Sequence, residues 1–163
     1  MTEETIIKVP EIKYDIPEVG VEVWVAIKGM DGTDTGLEAR MQYVSSDVMD
    51  SWSKVAKKAE LAEIKALVAL RKELSKEEAP ELYPDAQGRV RFNTEVAAAS
   101  EKEHARMIVR DVVTGMRGAA HGGVDLSQIS RAELVPRLER AHLLPIVAAA
   151  AMRFQSPTAH QVF

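Results

Sequence analysis

The chain has 163 residues, 46% hydrophobic and 28% charged, which bounds it to one globular domain, or one small domain plus a helical arm, with a real core, and excludes a disordered protein. A formal charge of -4 argues against general affinity for phosphate backbones or anionic membranes, so nucleic acid and membrane are not expected partners. The absence of cysteine excludes disulfides, thiolate metal sites and thiol nucleophiles, and aromatics at 5% leave the core to small and aliphatic side chains.

The opening "MTEETIIKVPEIKYD" carries acids where a secretory signal needs a basic start, which predicts a cytoplasmic protein. Residues 1–44 read as β structure. "EIKYDIPEVG" alternates Ile12, Tyr14 and Ile16 but is fenced by Pro10 and Pro17, so it fits an edge strand or an extended arm. In "VEVWVAIK", Val21, Val23, Val25 and Ile27 recur with the period of a half-buried strand, and "LEARMQYV" repeats it with Leu37, Ala39, Met41 and Tyr43. The intervening "GMDGTDTG" makes the pair a hairpin with a mobile tip available for contacts.

The period changes to that of a helix at residue 45, opening a helical region over 45–154. Ser45, Ser46 and Asp47 are N-cap candidates. Val48, Trp52, Val55, Ala59, Ala62, Ala66 and Leu70 then mark one long helix to about Glu78, stopped by Pro80 and Pro84. Ile64, Leu67, Val68 and Leu74 widen its apolar face, so it is either covered by later helices or open to a partner. Lys54, Lys57 and Lys58 precede Glu60 and Glu63, a spacing that suits ion pairs along a wet face. "YPDAQGRVRFN" reads as a connector or brief strand. A second helix follows from Thr94 to Met116, a third from Ser130 to about Leu144 with a Ser130–Glu133 capping box, and a fourth from Ile146 to Phe154 with Pro145 in its first turn. The run "LLPIVAAAAM" is about half the roughly 20 residues that span a bilayer and reads as a buried helix. The tail 155–163 is expected to fray. The fold class is therefore α+β: a small N-terminal antiparallel sheet followed by a mainly helical remainder, one domain in all.

The glycines of "VTGMRGAAHGG" raise the question of a phosphate loop. No Gly-Lys-Ser/Thr is present, and the stretch follows a helix instead of a strand, so it reads as a helix stop at Gly115 or Gly118 and a flexible joint. The sharpest enzymatic signal is a pair of Glu-x-x-His spacings, Glu101 with His104 and Glu139 with His142. That spacing puts carboxylate and imidazole on one helix face, as in di-metal four-helix proteins. The glutamates completing such a site would come from two other helices. The first helix offers Glu60 or Glu63, but "PIVAAAAMRF" has no acid, so a solvated face is the favoured reading and no cofactor or metal is expected. His121 and His160 have no orienting carboxylate at local spacing and read as surface histidines. What remains is a module that binds other protein.

The layout resembles the tail assembly chaperones of long-tailed bacteriophages, which hold the tape-measure protein soluble until the tail tube polymerises around it. The likeness is carried by "VEVWVAIKG…LEARMQYV" leading into a helix. It continues in "ARMIVRDVVTG…GGVDLSQISRAELVPRLERAHLLPIVAAAAMRF", where helix, glycine-containing linker, short extended segment, helix and closing alanine-rich helix follow in order. The resemblance implies a non-enzymatic protein of the bacterial host cytoplasm. It also implies binding to the tape-measure protein, with the tail-tube protein as a second candidate partner, and self-association as a homo-oligomer. Met30, Met41, Met49, Leu67, Val68 and Leu74 are the expected partner-binding residues, because thioether and aliphatic side chains repack easily against varied partners. Trp24 and Trp52 are expected in the core. The alternatives are a di-metal helical bundle using Glu101, His104, Glu139 and His142, or a structural tail or connector subunit of the virion.

Overall fold

The structure is a computed structural model describing residues 11–15, 18–90, 92, 94–118, 126, 128–156 and 158–162, with the backbone alone at 11–15 and 158–162. Among the described residues, five strands and four α-helices follow in the order β1 (Glu11–Asp15), β2 (Glu22–Lys28), β3 (Asp34–Gln42), α1 (Ser46–Glu73), α2 (Glu95–Val112), β4 (Val113–Arg117), α3 (Arg131–Arg140), α4 (Leu144–Gln155) and β5 (Thr158–Val162). The α+β class holds. A three-stranded antiparallel sheet, ordered β2-β3-β4, is covered by helices, and β1 pairs with β5 in a separate two-stranded ribbon.

The hairpin forms where the period-two pattern places it. Its inner face buries Ile27 on β2 and Leu37, Ala39 and Met41 on β3, against Ile108, Val109 and Val112 of α2 and Val147, Ala148 and Ala151 of α4. The connecting loop, residues 29–33, holds itself together. Gly29 N–H donates to Thr33 O at 2.8 Å, and Asp31 Oδ1 accepts from both the backbone N–H and the hydroxyl of Thr33. The Thr33 hydroxyl, ahead of its backbone N–H, holds the Asp31 carboxyl below its ordinary range.

The third strand is a correction to the sequence reading. The second helix ends at Val112, not Met116, because Val113–Arg117 leaves the helical path to pair with β3. Val112, Val113 and Thr114 are β-branched and favour that change, and the strand satisfies backbone groups that β3 would otherwise present at an edge. A bulge sets Thr114 out of register, where Arg40 Nε donates to its hydroxyl at 3.0 Å. The glycine stretch is therefore more than a joint: Gly115 lies within β4, and Gly118 closes it at φ 90°. A Cβ on Gly118 would stand 2.1 Å from the carbonyl oxygen of Gly36, so only glycine lets these two chain segments approach. His121, Gly122 and Gly123 lie outside the described residues.

The tail also departs from expectation. Thr158–Val162 is not frayed but pairs antiparallel with Glu11–Asp15, from Asp15 opposite Thr158 to Glu11 opposite Val162. The N-terminal arm thus becomes a strand whose partner comes from the far end of the chain. The long helix ends at Glu73, five residues short of the expected Glu78. Ser75 and Glu78 start a turn of their own, with Ser75 N–H donating to Glu78 Oε2 at 2.8 Å and Glu78 N–H to Ser75 Oγ at 3.3 Å. The Ser75 backbone N–H, ahead of its hydroxyl, holds the Glu78 carboxyl below its ordinary range. The connector after Pro84 contains no strand among its described residues.

The caps are as the sequence suggests. Ser45 Oγ accepts from Val48 N–H, Thr94 Oγ1 from Ala97 N–H, and the Glu133 carboxylate receives both the N–H and the hydroxyl of Ser130. The third helix closes at Arg140, earlier than expected. His142 adopts φ 57° and Leu143 N–H reaches back to Leu138 O, a left-handed helix stop built without glycine. Two contacts fasten the far end of α4 to the sheet. The Gln155 amide donates to Gln42 O and accepts from Val44 N–H, and the Phe154 ring stacks on Tyr43 with centroids 4.2 Å apart. Among the described residues no helix is long and apolar enough to cross a membrane.

Candidate functional site

Helix α1 is 28 residues long and buries one of them, Trp52, whose indole N–H donates to Asp111 Oδ2 at 2.8 Å. The side facing α2 carries Trp52, Val55, Ala59, Ala66 and Leu70, all less exposed than the residues on the other side of the helix. Glu63 lies on that side too and accepts from the Thr94 hydroxyl at 2.9 Å, linking mid-α1 to the start of α2. The opposite side carries Leu61, Ile64 and Val68, exposed by 61%, 49% and 45%. Three- and four-residue spacing stacks them in one stripe along the helix, and an open groove of about 480 Å³ runs over Ile64, Val68 and Ala69.

Lysines border this stripe. Lys54, Lys57, Lys65 and Lys72 fall on the outward half of the helix by its 3.6-residue turn, and all are exposed. Among the described residues none of them has an ion-pair partner. The pairing expected from the spacing of Lys54, Lys57 and Lys58 with Glu60 and Glu63 does not form among the described residues; Glu63 is turned to Thr94 instead. The result is a face with an apolar centre and a cationic margin, on a protein of net negative charge.

Magnitudes limit what the stripe alone can do. Full burial of an aliphatic side chain is worth about 1.5–3 kcal/mol, and about half is already gained here, so the three offer a partner about 3 kcal/mol. Association costs about 4–15 kcal/mol in lost freedom, so a partner must add further contacts, for which the lysine margin is placed.

The expected partner-binding residues separate into groups. Val68 lies in the outward stripe. Leu67, one residue earlier, is half-buried, and Leu74 is exposed at the helix C-cap. Met30 sits at the hairpin tip, 95% exposed and apart from α1. Met41 is a correction: it is fully buried under α2 and belongs to the core, and Met49 packs against that core. Leu61, which was missed, is the most exposed residue of the stripe; its helical offset from Ile64 and Val68 was the signal that could have found it. Trp24 is a second correction, standing on the outer face of the sheet with the Arg117 guanidinium 4.0 Å from its ring centre.

The two Glu-x-x-His pairs come partly together. Glu101, Glu139 and His142 line one groove of about 440 Å³ with Ala105 and Leu144, while His104 is not among its walls. Glu139 is already engaged by the Arg106 guanidinium, whose hydrogen bond holds the carboxyl below its ordinary value of 4.5. Arg106 in turn is held above its ordinary range by Glu139 and then Glu103. His142 serves as the helix stop. Among the described residues no group of three or more His, Asp or Glu side chains is placed to hold a metal ion.

No protein-family model, curated protein or solved structure matches this chain.

Proposed function

We propose that this chain is a non-enzymatic tail assembly chaperone of a long-tailed bacteriophage, keeping the tape-measure protein soluble in the host cytoplasm. The observation that supports the reading is the outward face of α1, where Leu61, Ile64 and Val68 form an exposed stripe on a helix fastened by its other side. A tape-measure protein presents long apolar helical stripes before the tube encloses it, and a matching stripe on a fixed scaffold covers part of that surface by helix-on-helix packing. Met30, at the tip of a hairpin whose loop is braced by Asp31, provides a separate contact point for a second partner such as the tail-tube protein. Co-expression with the tape-measure protein of the source genome tests the reading. The tape measure is expected to stay soluble and co-purify with this chain, and one that aggregates regardless would remove the chaperone role.

A structural tail subunit is separated by mass spectrometry of purified virions, since a chaperone is absent from the finished particle.

A further inference from the structure

We propose that the outward face of α1 docks an amphipathic helix whose own apolar stripe is flanked by Asp and Glu. The inference rests on the binding role proposed above and names the chemistry of the segment that face accepts.

The apolar centre, Leu61, Ile64 and Val68, recurs at the spacing of one helix face and fits the ridge of a second helix lying along it. Lys57, Lys65 and Lys72 surround that centre, with Lys54 one turn further towards the N-terminus, and among the described residues no carboxylate of this chain neutralises them. Acids do lie near: Glu60 is at the margin and Glu73 lines the end of the groove, but neither forms an ion pair with these lysines. A helix with acids flanking its stripe brings carboxylates to all of these ammonium groups while its apolar residues cover Ile64 and Val68.

Other occupants fit less well. In a second copy of this chain, stripe against stripe would oppose lysine to lysine, which disfavours the pair. An anionic bilayer would be attracted by the lysines, but the stripe has no aromatic residue to seat in the headgroup layer, and the chain as a whole is negative. A nucleic-acid strand would leave the apolar centre uncovered and find no ring on this face to stack against.

The test uses the full chain and two synthetic helical peptides of about 20 residues, a length beyond which isolated helices gain stability. Both carry the same Leu/Ile stripe, flanked by Glu in one and Lys in the other. Binding is read by fluorescence anisotropy and mapped by methyl NMR at Leu61, Ile64 and Val68. The Glu-flanked peptide is expected to bind on the order of tenfold tighter at low salt, with the difference shrinking as salt rises. A Lys57→Glu/Lys65→Glu/Lys72→Glu variant is expected to invert the preference, and the corresponding Lys→Gln variant to abolish it. Equal binding of the two peptides, or shifts confined to other residues, would overturn the proposal. So would tighter binding to phosphatidylserine vesicles than to the Glu-flanked peptide, or a dimer that forms through these methyls. A tape measure that co-purifies equally with the wild type and the Lys→Glu variant overturns this inference and leaves the chaperone reading standing. Selectivity for the Glu-flanked peptide beside a tape measure that aggregates does the reverse.

Discussion

Helix α4 and helix α1 use their apolar residues in opposite ways. The former is 12 residues long and buries Leu144, Val147, Ala148, Ala150 and Ala151 between the sheet and α2; the latter is more than twice as long and buries Trp52 alone. A helix apolar on most sides is core, whereas a helix with two separated stripes is fixed by one and leaves the other to be matched. The difference teaches that α1 carries apolar residues the core does not use: Leu61, Ile64 and Val68 stay exposed while Trp52 anchors the helix, so a binding face can vary there without endangering the fold.

The comparison is broken most strongly from the core side. Leu138→Ala, which empties a fully buried site on α3, is expected to destabilise the chain by about 2–5 kcal/mol in urea unfolding. Gly118→Ala should cost about 2 kcal/mol or more, because its methyl meets the Gly36 carbonyl and its φ is positive; Gly115→Ala, whose methyl would stand 3.4 Å from the Arg40 guanidinium at ordinary contact distance, should cost less. Thr94→Ala removes both an N-cap and the hydroxyl that Glu63 accepts from, and is expected to cost about 1 kcal/mol by the same assay.

Smaller effects sharpen the comparison. The Glu139 carboxyl is held below 4.5 by Arg106, so the pair's contribution is present above the ordinary glutamate range and is lost as pH falls through the lowered value. Carbon-detected NMR titration of Glu139 should show a midpoint below 4.5 that returns towards it in Arg106→Gln. Smallest of all, Leu61→Asp and Val68→Asp should leave unfolding stability within about 0.5 kcal/mol, since neither side chain belongs to the core.

Much of this arrangement was legible from local pattern. Period-two runs located the hairpin, and Ser45, Thr94 and Ser130 marked three helix starts, because strand alternation and capping are decided within a few residues. What escaped was set by distance. Nothing near Val113 shows that Met41 of β3 waits far upstream for a third strand, and nothing near Thr158 indicates Asp15. The glycine at 118 was noticed but misread, since its reason lies in the carbonyl of Gly36. The candidate face was half legible. Val68 and the lysines were noted, but Met41 was placed on a surface although its alternation with Leu37 and Ala39 already put it inside, and the role of Glu63 required knowing where Thr94 would stand.

The most direct test of the central claim is co-expression of the tape-measure protein with wild-type chain and with a Leu61→Asp/Val68→Asp variant whose thermal midpoint matches the wild type. The account predicts a tape measure that is soluble and co-purifies with the wild type and aggregates with the variant. A tape measure held in solution equally by both, or by neither, would contradict the assignment of the outward face of α1 as the binding surface.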